Sequence, residues 1–310
     1  MNRKKKVVGL GEVLWDIFPD GPRLGGAPAN FAYIANLLGD EGIVASRVGT
    51  DLHGHEALQR MKELGLAVDH VQADHKHATG TVNVKLDSTA MPSYEIANPA
   101  AWDFLEWTRD WRGLAAHADA VCFGSLAQRG EQSRRTIREF LRAASSHAVR
   151  VFDVNLRQSY YSAKTIRESM KLADIVKLND EELEKIMSLC HLPYKDELSS
   201  AKRLLSAYSL KLISVTRGRQ GSLLVRGREV REHDMTEHDV SEHPGFQVRV
   251  GDTVGAGDAF TAGLVHEYLN GAPLDRMNEM ANRIGAWVAG EVGAMPAPNQ
   301  SIEESLAEIR

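Results

Sequence analysis

Cysteine is scarce in this sequence. Its 310 residues hold two, Cys122 and Cys190, with no C-x-x-C pair, and a reducing compartment is expected. Long apolar runs are missing too: nothing approaches the roughly 20 residues that a membrane-crossing helix needs. Lys4-Lys5-Lys6 could open a signal peptide, but the apolar run behind them is broken by Glu12 and Asp16. Nor is there a positive excess. Lys and Arg number 37 against 42 Asp and Glu, a net charge of −5, which discourages a nucleic-acid partner. No Gly-x-x-x-x-Gly-Lys-Ser/Thr occurs, so this is not a P-loop enzyme. No Gly-x-Gly-x-x-Gly opens a first βα unit, which argues against a dinucleotide dehydrogenase. Repeats, low-complexity tracts and an interdomain linker are absent as well. What remains is ordinary globular material, 43% apolar and 25% charged, long enough for one large α/β domain with a small insert. A cytoplasmic enzyme is expected.

The most informative stretch is Gly251-Asp-Thr-Val-Gly-Ala-Gly-Asp-Ala-Phe260. It follows a β-like run (Phe246, Val248, Val250) and opens a helix-like one (Phe260, Leu264, Val265, Tyr268, Leu269) that Asn270-Gly271 stops. Gly255, Ala256 and Gly257 therefore fall at a helix N-terminus, where bare N–H groups and the helix dipole favour an anion. Asp258 could simply complement that dipole. Beside an anion hole it is also well placed to take a proton from a hydroxyl while the N–H groups hold developing charge, which points to phosphoryl transfer to an alcohol.

Earlier in the chain, Val7 to Phe18 reads as a first strand, with Asp16 at its far end. A loop carboxylate and a site residue are about equal readings there. Leu24-Gly25-Gly26-Ala27-Pro28-Ala29-Asn30 brings bare backbone to another helix start, and Asn30 could hold a ligand hydroxyl or bond the local backbone. Residues 74–103 break the βα rhythm with two alternating runs, 79–86 and 93–97, around a turn at Met91-Pro92. Asn98 to Asp103 closes that insert, and Trp102 and Trp107 fit core or lid packing better than a ligand role. From Asp119 onward apolar strands end in polar residues: Gly124-Ser125, Asp153 to Arg157, Asn179 to Glu182, Thr216 to Gly221. That is the doubly wound pattern, with its site along one sheet edge. The charged segment 226–246, with His233, His238 and His243, reads as a solvated loop rather than a metal site. Two C-terminal helices are expected, at about 274–291 and 301–310.

Asp-Thr-Val-Gly-Ala-Gly-Asp (252–258) resembles the C-terminal signature of the ribokinase-like (PfkB) carbohydrate kinases. Gly-Gly-x-Pro-x-Asn, Leu-Gly and Gly-x-Asp-x-x-Gly, in this order through Gly54, resemble the N-terminal signature of the same family. The resemblance implies one kinase domain over 1–310. Its architecture would be α/β, ribokinase-like and doubly wound: a mostly parallel central sheet, helices on both faces, and a small β-sheet lid from about 12–24 and 74–103. The lid would exclude water from the phosphate.

The resemblance also distributes roles. Asp258 is the base, with Gly255, Ala256 and Gly257 as anion hole. Asp16, Gly25, Gly26, Asn30, Asn98 and Arg157 fall at the sugar end. Thr216, Gly218 and Gly221 match the nucleotide loop, joined by Asn179, Gly257 and an adenine-proximal Asn282. Asn179-x-x-Glu182 matches the element that arranges Mg²⁺ through its waters, although by themselves these two residues read as a helix cap and a first-turn acid. Asp252, with the backbone of 288–297, corresponds to the monovalent-cation loop; K⁺ is left open, because Val254 stands where ribokinase carries a threonine. ATP and a sugar are the implied partners, and a homodimer through the lid is also left open. Asp153-Val-Asn-Leu-Arg157, the Gly-Gly-Ala-Pro-Ala-Asn run and Asn98 to Asp103 resemble the fructokinase branch most, so fructose is the expected acceptor. 2-Keto-3-deoxygluconate, ribose, or a catalytically silent sugar- or nucleotide-binding relative are the alternatives.

Overall fold

The computed structural model describes residues 3–86, 92–227, 238–299 and 302. In chain order the strands are β1 (Lys6–Leu10), β2 (Leu14–Phe18), β3 (Gly21–Gly25), β4 (Glu41–Gly49), β5 (Val71–Asp74), β6 (Gly80–Leu86), β7 (Pro92–Ile96), β8 (Ala120–Phe123), β9 (Val149–Asp153), β10 (Ile175–Asn179), β11 (Leu212–Thr216), β12 (Ser222–Gly227) and β13 (His238–His243). The helices are α1 (Ala27–Leu37), α2 (Leu52–Glu63), α3 (Arg109–His117), α4 (Glu131–Ala143), α5 (Ala163–Leu172), α6 (Asp180–Leu189), α7 (Glu197–Tyr208), α8 (Ala256–Leu269) and α9 (Leu274–Gly290).

Runs such as Val7-Val8, Val121-Cys122-Phe123 and Ile175-Val176 are buried on successive residues, hence on both faces, as strands covered by helices on two sides must be. They form one large sheet in the order β13-β12-β11-β10-β9-β8-β1-β4-β5, parallel from β11 through β5 and antiparallel at β11–β12 and β12–β13. The carboxyl ends of its parallel strands deliver Asp153, Asn179 and Thr216 to one edge. A separate four-stranded sheet, β3-β2-β6-β7, forms the lid.

Helix α1 lies unusually close to the large sheet. A Cβ at Gly9 would sit 2.0 Å from the Pro28 carbonyl oxygen, and one at Gly42 would sit 2.0 Å from that of Ala32. No side chain fits there, so two glycines let the first two turns of α1 pack directly on β1 and β4.

Three sequence expectations are corrected. The run from Val7 to Phe18 is two strands: Gly11 turns the chain at φ +151°, β1 stays in the large sheet and Asp16 moves onto the lid. The charged loop contains β13, whose backbone pairs along β12 while Asp239 and Glu242 blunt an open edge. Phe246 to Val250, by contrast, is not a strand; Phe246 packs against Arg283 and no described strand lies alongside the segment. Of the two expected C-terminal helices, the first is α9; the second falls outside the described residues apart from Ile302, as do His233 and Met91.

Candidate active site

Two helix N-termini without side-chain caps face each other across α1 and α8. At α8 the cap is Gly255 (φ +79°), where a Cβ would come within 2.4 Å of the Ala294 Cβ, so both conformation and space demand glycine. At α1 the cap is Gly26 (φ +108°), where a Cβ would meet the Glu12 carbonyl oxygen at 2.5 Å. No side-chain oxygen accepts from these first turns; Ala29 N and Ala256 N donate to the Gly26 and Thr253 carbonyls, and the remaining N–H groups and the dipoles are left for a ligand.

Asn30 and Asp258 join the two helices. Asn30 Nδ2 donates to Asp258 Oδ2 at 2.7 Å, while its own Oδ1 is buried without a partner. The Asp258 carboxyl is only partly open to the cleft, and burial pushes its pKa up to about 6. The neighbouring Asp153 carboxylate pushes the same way, opposed by the Asn30 bond, Lys177 and Arg157. A group titrating near 6 is ionised at neutral pH yet basic enough to accept a proton.

Asp16 approaches from the lid. Its Oδ2 lies where a Cβ on Gly25 would come within 2.7 Å, so Gly25 makes room for the carboxylate. Burial raises its pKa to about 6; Arg157 works against this, and Asp252 and Asp258 add to it. Arg157 itself is exposed. Its charge reaches both Asp16 and Asp258, so one guanidinium and two carboxylates share this end of the cleft. Asn98 is exposed at the foot of the lid, and no described bond ties it to Asp16 or Asp258.

The other end is built on β10 and β11. Asn179 and Thr216 are register partners, which puts the start of α6 beside the 216–221 turn. Gly218 (φ +54°) faces open space, whereas Gly221 (φ +79°) is wedged so that a Cβ would meet the His243 carbonyl oxygen at 1.9 Å. Asn179 and Glu182 form a capping box: Glu182 N donates to Asn179 Oδ1 at 2.7 Å and Asn179 N to Glu182 Oε2 at 3.0 Å. Glu182 Oε1 also accepts from Leu156 N at 2.7 Å. Each carboxylate oxygen keeps a second lone pair for a metal-bound water, so the donors suit a hydrated Mg²⁺ held at one remove. Asn282 is buried in a polar network between α9 and the sheet, donating to Ser222 Oγ and Asn278 Oδ1.

Sequence reasoning missed a buried group beneath the N-terminus of α8. Lys177 Nζ bonds Asp153 Oδ1 at 3.1 Å, and the single Thr261 hydroxyl proton is shared between Asp153 Oδ2 at 2.8 Å and the Gly257 carbonyl at 2.9 Å. A Cβ on Gly257 would sit 2.9 Å from that ammonium. Burial alone would lower the Lys177 pKa, but the carboxylates of Asp153, Glu182 and Asp258 outweigh it and push the value up, so the group stays cationic. The signal was a lysine inside an otherwise apolar strand. Glu12 was missed as well. It is buried with Oε2 unpartnered, and burial raises its pKa to about 7.

An uncapped helix N-terminus with a buried carboxylate in its first turn, at the edge of a mostly parallel sheet, is the arrangement of a phosphotransferase with an alcohol acceptor. The pfkB family carbohydrate kinase model matches residues 21–301, and the chain belongs to that family. Fructokinase of Escherichia coli is 31% identical over 315 residues, covering 94% of this chain and 95% of that protein. A putative sugar kinase of Pyrococcus horikoshii is 28% identical over 284 residues, covering 89% and 84%. Among solved structures, a Vibrio cholerae fructokinase in a fructose-, ADP- and calcium-bound form superposes with TM-score 0.79 at 26% identity, each chain covered to 98%. Among the described residues no helix is long and apolar enough to cross a membrane.

Proposed function

We propose that the chain is an ATP-dependent fructokinase, acting as one kinase unit with the β3-β2-β6-β7 sheet as its lid. The observation that carries this reading is Asp258: a carboxyl raised to about 6, bonded to Asn30, at the open N-terminus of α8. Asp16 and Asn30 accept and donate hydrogen bonds to sugar hydroxyls, with Gly25 and Gly26 letting the sugar approach bare backbone. Asp258 takes the proton of the attacking hydroxyl. The N–H groups of Gly255 to Gly257 meet the charge growing on the transferring phosphoryl, and Lys177 adds a fixed positive charge beneath them. Thr216 to Gly221 and Asn179 hold ATP at the far end, with Asn282 behind them; Glu182 and Asn179 hold Mg²⁺ through its waters. When bound, the ion neutralises ATP oxygens. Fructose is favoured by the fructokinase relatives.

A second reading, 2-keto-3-deoxygluconate kinase, has one observation in its favour. Arg157 is an exposed guanidinium whose charge reaches Asp16, placed to meet a substrate carboxylate. Sugar-dependent ADP release measured across fructose, ribose, 2-keto-3-deoxygluconate and adenosine separates the readings. The highest kcat/KM is expected with fructose; a higher value with the keto-acid overturns the choice, and none above background with any sugar overturns the kinase reading.

A further inference from the structure

The loop that ends in the anion hole is stapled by one carboxylate. Asp252 Oδ1 accepts from Val254 N at 3.0 Å, and Oδ2 accepts from Gly293 N at 3.4 Å. Oδ2 also accepts from Arg23 Nη1 at 3.2 Å, a contact that spans 229 residues and reaches over from lid strand β3. The guanidinium is held on its own side as well. Arg23 Nη2 donates to Asp20 Oδ2 at 2.6 Å, and the group lies over the Phe18 ring at 4.4 Å. The staple borders the hole directly, since Gly255 packs on Ala294, the residue after Gly293.

This donor set does not fit a monovalent cation at Asp252 while Arg23 is in place. Oδ2 already accepts two hydrogen bonds and only Oδ1 keeps a spare lone pair, Val254 offers no hydroxyl, and the guanidinium that Asp252 shares with Asp20 already stands where a cation would supply counter-charge. A bare carboxylate this close to the hole would oppose negative charge gathering on the phosphoryl, so some cation must neutralise it.

We propose that Arg23 is that cation: a lid-borne positioning residue that neutralises Asp252, holds the anion-hole loop in shape and frees the chain from any need for K⁺. The proposal rests on the kinase reading. It places the counter-charge on the lid, so neutralisation comes with the lid seated on the loop. As an ion pair alone it would matter little, because both side chains are partly exposed, and such pairs barely change stability.

The test compares the parent with Arg23→Gln and Arg23→Lys in KCl, NaCl and choline chloride at matched ionic strength. Sugar-dependent ADP release and melting temperature are both followed. The parent is expected to turn over equally, within about twofold, in all three salts, and to melt alike in each. Arg23→Gln should lose at least about tenfold in kcat in choline, with sugar KM nearly kept and melting there unchanged, and in KCl it should regain rate and melt higher than it does in choline. Arg23→Lys should keep much of the rate, since charge matters more than the fork. A parent that depends on K⁺, or an Arg23→Gln protein indifferent in every salt, overturns the proposal. If no sugar supports turnover the kinase reading fails instead, and the melting curves still decide whether K⁺ binds only when Arg23 is removed.

Discussion

Asp258→Asn should damage catalysis and improve stability together. The amide keeps the shape of the carboxyl and still accepts the Asn30 bond, so positioning survives, but it cannot take a proton at neutral pH. Loss of a positioned general base costs roughly 10²–10⁴-fold in kcat. The stability side follows from the raised pKa. A carboxyl titrating near 6 in the fold and near 3.8 when free holds its proton longer when folded, so its ionised form costs stability above about pH 6. At about 1.4 kcal/mol per pKa unit the full cost is about 3 kcal/mol, and partial exposure trims it to roughly 1–2. The variant should therefore melt a few degrees above the parent at pH 8, and the gain should vanish toward pH 4, where the parent's own carboxyl is protonated. ADP release and thermal unfolding at both pH values supply the readings. Turnover within a few-fold of the parent refutes the base; a lower melting temperature at pH 8 refutes the argument from burial and repulsion.

Other outcomes follow from the same geometry. In the parent, kcat/KM should climb with pH and level off above about 6 as Asp258 ionises, and a flat profile from pH 5 to 8 would contradict the assignment. Asp16→Ala should raise the sugar KM steeply, each lost charged bond being worth roughly 1.5–3 kcal/mol, while ATP affinity measured without sugar stays level; the reverse pattern would mean the cleft is assigned backwards. Lys177→Met should cost about 3–5 kcal/mol in denaturant unfolding, because Asp153 is left buried without its cation; a loss below about 1 kcal/mol would show the pair is not structural.

Much of this was legible because local chemistry and global position agreed. Apolar runs ending in Asp153, Asn179 and Thr216 marked strands and their active edge. Small residues before Asp258 marked a helix start that no side chain caps. Other features needed partners far along the chain. Lys177 looked like a strand residue because Asp153 and Thr261, which keep it charged in the interior, come from other elements. Arg23 carried no signal, since its meaning lies in Asp252. The strand from His238 to His243 is charged enough to read as a loop, and only pairing with β12 makes it a strand. Asn179 and Glu182 show the opposite case: the structure bears out the cap of α6 that their spacing suggests, and the proposed Mg²⁺ role rests on the lone pairs the cap leaves over.

The central claim is that phosphoryl passes from ATP to a sugar hydroxyl, and product analysis reaches it most directly. Incubation with ATP, Mg²⁺ and fructose, followed by ³¹P NMR, should show a single new phosphomonoester growing in step with ADP, absent when fructose is omitted. ADP accompanied only by inorganic phosphate, or no ADP at all with fructose, would contradict the account.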